Sequence, residues 1–343
     1  MKNVRLKYQS GFTMVELMVS LALSLLIAMA AIAALVAGRQ GFNTVDAASE
    51  LRDNARFAED VIQRIAAQGG FTDYTTAATT GSNVSQYPPA SVTGFNNAKP
   101  DLTDATASTS VAWQAGQVGF ASDVLVLRYQ SAALNSGAGT GSDGSVIDCA
   151  GNADQTAGDT QISMFYVDTD PNGSGEPALM CAYLDRTGAT PTLKSKALIS
   201  GVEDFQVLYG VGLGQKCKPT DPQPAAPSPN TQFQGCPGDV ATIYMRADQM
   251  VPAAPTAPDP YNNWRFVRSI RIGFVLRGAV NSQPGAITQT FYPLGLTQLS
   301  ATSAVGTAFG KVSDPGTIFT PAVDNRLRQV ATFTVHLRNY QGL

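Results

Sequence analysis

The sequence predicts an α+β protein: a long N-terminal α-helix, its first half membrane-spanning, packed on a globular domain rich in antiparallel β-sheet. Three observations carry this. Residues 12–37 are almost continuously apolar, and residues 45–65 keep apolar groups at helical spacing. Beyond Gly70 the pattern changes to short alternating runs separated by Gly-, Pro- and Thr-rich stretches.

Composition sets the limits. A chain of 343 residues is long enough for a substantial core. Charged residues make up 14 % and the net charge is −3, too few and too scattered cations to neutralise a run of phosphates, so a nucleic-acid surface is excluded. The 32 Gly and 20 Pro favour a loop-rich β domain over a helical one without reaching the density of a disordered chain.

The N-terminus comes first in the chain and in information. Residues 1–11, MKNVRLKYQSG, hold Lys2, Arg5 and Lys7, no acid, and a terminal glycine. Residues 12–37, FTMVELMVSLALSLLIAMAAIAALVA, would form a helix of roughly 39 Å, enough to cross a bilayer with some tilt. The basic leader should stay cytoplasmic and leave everything after Arg39 outside. A secretory signal fits badly, since the apolar stretch is too long and the polar break precedes it. A plain signal anchor leaves Glu16 unexplained, because an ionised carboxylate within the span costs at least a few kcal/mol without a cationic partner.

The segment GFTMVEL, Gly11–Leu17, resembles the type IV prepilin signature. The resemblance implies cleavage between Gly11 and Phe12 by a prepilin peptidase at the cytoplasmic face, followed by N-methylation of Phe12. It also gives Glu16 a role: its carboxylate would pair with the Phe12 ammonium of a neighbouring subunit, so that two costly charges cancel in an apolar filament core.

Past the span, FNTVDAASELRDNARFAEDVIQRIAAQGG places Val45, Ala48, Leu51, Ala55, Ala58, Ile62 and Ile65 on one stripe, with charges on the other faces. Gly69-Gly70 is a natural stop, and Gly38 and Gly41 are expected weak points. The expected divisions are a leader at 1–11, a transmembrane or filament-core half-helix at 12–38, an amphipathic half at 39–70, and an exported β-rich head at 71–343.

In the head, residues 72–110 read as a long surface excursion with little regular structure. Strands are expected at 123–130, 161–168, 178–185, 202–211, 242–246, 267–277, 287–292 and 330–338. The Pro-rich stretches 219–230 and 251–260 must be loops. The arginines that end several strands read as surface groups. Four cysteines, Cys149, Cys181, Cys217 and Cys236, all follow the apolar segment, and their spacing does not resemble a zinc site. An even count on the exported side favours disulfides. Of the three possible pairings, Cys149–Cys181 with Cys217–Cys236 closes the shortest loops, the second worth about 3 kcal/mol.

Several segments of the helix and head resemble the PilW-type minor pilins, relatives of the J-type pseudopilins of type II secretion: ELRDNARFAEDVIQRIAAQGGF, GVEDFQVLYGV, VRSIRIGFVLR and RLRQVATFTVHLRN. The resemblance implies a pilin-like fold and a minor subunit that acts in pilus assembly or its initiation. It would sit in the inner membrane, N-terminus cytoplasmic and head periplasmic, before entering the fibre, and its partners would be other minor and major pilins through their N-terminal helices. A J-type pseudopilin is the near alternative. A membrane-tethered periplasmic binding module or enzyme is the distant one.

Little else suggests chemistry. Asp168, Asp170 and Asn172 fall in register with half of a calcium loop, but Leu179 stands where the closing acid should be and the flanks read as strands, so a polar hairpin loop is the simpler reading. The sole histidine, His336, lies in a strand-like run without nucleophile or phosphate-binding motifs around it. No enzymatic activity and no cofactor are expected.

Overall fold

The computed structural model describes residues 11–73, 90–119, 121–134, 141–153, 156, 158–171, 173, 175–188, 190–251, 262–295 and 314–339. Helix α1 runs from Met14 to Gln68, 55 residues and roughly 83 Å, capped by Thr13. It ends at Gly69, whose N–H donates to Ile65 O and Ala66 O, and Gly70 turns the chain at φ +79°. The helix stays regular through Gly38 and Gly41, the two expected weak points. Its buried stripe is Ala47, Leu51, Ala55, Ala58, Ile62, Ile65 and Ala66. The stripe starts later than the spacing predicts: Val45 is 69 % exposed and Ala48 only half-buried, because the head first reaches the helix at Ala47.

The strands are β1 Val92–Phe95, β2 Ala98–Pro100, β3 Ser110–Ala112, β4 Val124–Gln130, β5 Thr160–Thr169, β6 Pro177–Asp185, β7 Thr192–Ser200, β8 Val202–Gln215, β9 Cys236–Met245, β10 Val267–Arg277 and β11 Arg328–His336. All pairings among the described residues are antiparallel. They build a five-stranded sheet, β1-β4-β5-β6-β7, a four-stranded sheet, β11-β10-β8-β9, and a small ribbon, β2-β3. The stripe of α1 shares one core with the inner faces of both sheets, including Leu125, Leu127, Phe165, Phe205, Val207, Ile270, Ile272 and Phe274.

The five-stranded sheet is buried on its other face too. Val124, Val126, Ile162, Met164, Tyr166, Met180 and Ala182 form a second cluster that Ala105, Ala107 and Phe95 help cover. This corrects the reading of 72–110 as a surface excursion over residues 90–110; residues 74–89 lie outside the described residues. Residues 90–112 supply three strands and a lid, which Arg128 fastens. Its buried guanidinium donates to the carbonyls of Ala90, Thr106 and Ala107 and to Thr93 Oγ1. A stretch of small polar residues can cover a sheet when carbonyls, rather than large side chains, take the contacts.

Other boundaries also differ. Strand β7 escaped notice because TLKSKALIS mixes lysines into an edge strand, where charge on the open side is tolerated. Strand β9 starts at Cys236 rather than 242, and β8 extends to Gln215. Residues 287–292 form no strand; only Phe291 bridges to Phe319. The Pro-rich 219–230 is a loop between β8 and β9, and most of 251–260 lies outside the described residues. The disulfides are Cys149–Cys181, which ties a loop to β6, and Cys217–Cys236, which closes the base of the Pro-rich loop.

Candidate functional site

The helix starts where the prepilin-like motif lies. Gly11 and Phe12 precede it in non-helical backbone; Phe12 is 88 % exposed, and a side chain at Gly11 would meet nothing within 4 Å. Thr13 and Glu16 form a capping box. The Glu16 N–H donates to Thr13 Oγ1 at 3.3 Å, and Glu16 Oε2 accepts from the Thr13 N–H and hydroxyl, both at 3.0 Å. Glu16 is therefore in the first turn of the helix. There the free backbone N–H groups favour a carboxylate, so its burial costs less than a mid-span charge would.

Beyond it, Met14 to Val36 keep their large apolar side chains exposed; Leu25 is 63 % and Ile27 70 % accessible. The helix is long and apolar enough to cross a membrane. The polar groups within it are satisfied locally, since Ser20 Oγ donates to Leu17 O at 2.9 Å and Ser24 Oγ to Ser20 O at 2.7 Å. That leaves no dangling donor in an apolar setting.

Two polar junctions join the sheets in the head, and neither was visible beforehand. The first is an ion-pair network. Arg277 at the end of β10 donates to Glu176, just before β6, and to Glu203 at 2.9 Å. Arg326 donates to Glu176 at 2.9 Å, while Arg328 bonds Glu203 and Asp324. Burial pushes the Glu176 carboxyl up, but hydrogen bonds from Arg277 and Arg326 outweigh this and hold it low. Hydrogen bonding from Arg328 holds Asp324 low as well. Among the strand-terminal arginines read as surface groups, Arg338 is exposed, but Arg277 is held in this network with its side chain 19 % exposed.

The second junction is acidic. Strand β8 pairs with β9 only from Tyr209 onward, and the segment before β4 occupies its free edge. The Asp123 N–H donates to Phe205 O at 2.7 Å, the Phe205 N–H to Ser122 Oγ at 3.1 Å, and the Val207 N–H to Asp123 Oδ2 at 2.8 Å. Ser122 and Asp123 thus stand in for a neighbouring strand. Alongside lie Asp204, bonded by Gln206 Nε2 at 2.8 Å, and Asp314, bonded by the Asn96 and Asn97 amides and 3.5 Å from Arg246. All three aspartates are nearly inaccessible, at 3, 0 and 2 %. Burial raises all three carboxyls above the usual range; Asp314 adds to the rise at Asp123 and Asp204, while Arg246 opposes it at Asp314.

The remaining sequence candidates scatter. Asp168 lies at the end of β5 with Lys99 Nζ 2.7 Å away, and Asp170 sits in a hairpin turn where its N–H donates to Glu176 O. Asn172 falls outside the described residues. His336 is exposed at the end of β11. No three His, Cys, Asp or Glu side chains among the described residues are placed to hold a metal ion by themselves.

Comparison with known proteins fits this architecture. Residues 164–339, just over half the chain, match the family model of the type IV pilus-assembly protein W, PilW. This chain belongs to the PilW family. The matched region starts within β5 and takes in every later strand, so it includes most of the core under α1. Residues 6–38 match the prokaryotic N-terminal methylation motif, which spans Gly11, Phe12 and Glu16. The PilW-family chain is thus a type IV pilin-like protein with a membrane-anchoring helix. No curated protein matches it. A type IV-like pilin from Thermus thermophilus is similar in structure, at 13 % identity over 85 % of this chain and 98 % of that one, with a TM-score of 0.38. The fold assignment does not rest on that match.

Proposed function

We propose that this PilW-family protein is a minor pilin that takes part in type IV pilus assembly and its initiation. In this reading a prepilin peptidase removes residues 1–11 at the cytoplasmic face of the inner membrane, Phe12 becomes the N-methylated N-terminus, and the head lies in the periplasm. Residues 12–38 then pass from lipid into the filament core, alongside the helices of other minor and major pilins.

One observation carries the reading. A single helix exposes its apolar first half and buries a stripe of its second half under the head, and its first turn, capped by Thr13 and carrying Glu16, directly follows Gly11-Phe12. The exposed half is too apolar to face water and makes no use of the head, so it needs lipid or other helices to cover it. The capping box is made by Thr13 and Glu16 themselves. It also aims Glu16 back toward the helix start, where a neighbour's ammonium could meet it.

Mass spectrometry of the mature N-terminus tests the processing step. We expect a chain beginning at methylated Phe12 in cells with prepilin peptidase, and an intact leader in cells without it or in the Gly11→Val variant. A Met1 N-terminus in pilus-competent cells would sink the proposal.

A further inference from the structure

The acidic junction holds an excess of hydrogen-bond acceptors that the filament role does not use. Among the described residues, four buried side-chain oxygens there have no donor: Asn96 Oδ1, Asn97 Oδ1, Asp204 Oδ2 and Gln206 Oε1. Asp204 and Gln206 are both 0 % exposed, so bulk water does not serve them. Each of the three carboxamides spends its nitrogen on a carboxylate of the junction: Asn96 and Asn97 donate to Asp314 Oδ1 at 3.3 and 3.2 Å, and Gln206 to Asp204 Oδ1 at 2.8 Å.

The two parts of the junction are also adjacent. Gly316, two residues after Asp314, sits so close to Gln206 that a Cβ on it would lie 1.9 Å from Gln206 Nε2. Asn97 joins the two acids nearest it, donating its backbone N–H to Asp123 Oδ1 at 3.0 Å and its side-chain amide to Asp314. Among the described residues, Arg246 is the one cation with a charge contact to the group, beside three carboxyl groups.

Four unserved acceptors beside three carboxyl groups shut away from solvent call for a positive, donor-rich occupant. We propose that a calcium ion binds at this junction, held by Asp204 Oδ2 and Gln206 Oε1 on β8, the side-chain oxygens of Asn96 and Asn97, and the Asp314 carboxylate. All the candidate ligands are oxygen and most are neutral carbonyls, a set that suits a large hard cation and not zinc or copper. Magnesium, which keeps most of its waters, suits a closed, side-chain-lined site less well. The ion would cross-link the turn between β1 and β2, strand β8 and the 314–317 turn, and so both sheets. This is distinct from the Asp168–Asn172 segment, whose first acid is committed to Lys99.

The test uses the full chain in detergent micelles, stripped with EDTA and titrated with CaCl2 or MgCl2 during thermal unfolding and by calorimetry. Calcium should bind with a dissociation constant below about 1 mM and, near 100-fold excess over it, raise Tm by roughly 5 °C or more. Magnesium should give a clearly smaller shift. Asp204→Asn and Gln206→Leu should each keep the far-UV spectrum and lose most of the calcium shift. Absence of any calcium shift in the wild-type chain, or an equal shift in both variants, overturns the site. An equal response to magnesium overturns its assignment to calcium.

Discussion

The two halves of α1 share one continuous backbone and meet opposite surroundings. The first half carries large groups, Leu, Ile, Met and Val, and leaves them exposed from Met14 to Val36. The second half buries a narrow stripe built largely of alanine, Ala47, Ala55, Ala58 and Ala66, with Leu51, Ile62 and Ile65 between them. Small residues let the helix approach the sheets closely, and the charges between them keep the other faces wet. An apolar run whose one charge is Glu16, in its first turn, marks the half reserved for lipid or neighbouring helices. The contrast teaches that hydrophobicity alone does not say what a helix packs against; the charges interleaved with its apolar residues do.

Paired substitutions should expose that difference most strongly. Ile62 is fully buried in the core, so Ile62→Ala should lower the stability of the head by about 2–5 kcal/mol. Leu25→Ala, on an exposed position, should change it by no more than about 0.5 kcal/mol in detergent. Denaturant unfolding in micelles measures both, and similar losses would erase the distinction between the halves.

A smaller effect separates the head's own junctions. Glu176 and Asp324 have lowered carboxyl pKa values in the fold, so their stabilisation is present above the unfolded value near 4 and is lost as pH falls through the folded value. Arg326→Met should therefore cost about 1–3 kcal/mol at pH 7 and much less at pH 2.5. A cost that does not change with pH would mean that the network contributes packing rather than charge.

Much of this was legible in the sequence. The apolar run, the Gly-Phe-x-x-x-Glu register and the Gly69-Gly70 stop sit close together in the chain, so local rules reach them. Strands β4, β5, β6 and β10 were visible as apolar runs. What stayed hidden depends on pairings between distant residues. The lid at 90–112 needs Arg128, and the ion-pair network needs Glu176 to meet Arg277 and Arg326. The acidic junction had one clue. Asp204 and Gln206, two apart in an otherwise apolar strand, must face the same side and need polar company there. Nothing local says that Asn96, Asn97 and Asp314 supply it. Glu16 was legible as the one charge near the start of the apolar run, but its bond to Thr13 was not, because Thr13 shows as a cap only once the helix start is known.

The central claim is that Glu16 serves assembly through its charge, and a comparison of two substitutions tests it. Glu16→Gln can keep the capping box with Thr13 while removing the negative charge; Glu16→Ala removes both. At matched membrane levels, the amount of each variant in sheared surface fibres, or co-purified with partner pilins, is the measurement. Both variants should be processed and stable in the membrane, and both should enter fibres poorly, because neither offers a carboxylate to the neighbour's Phe12 ammonium. If Glu16→Gln enters fibres as well as wild type while Glu16→Ala does not, Glu16 acts only as a helix cap and the charge-pairing account is wrong.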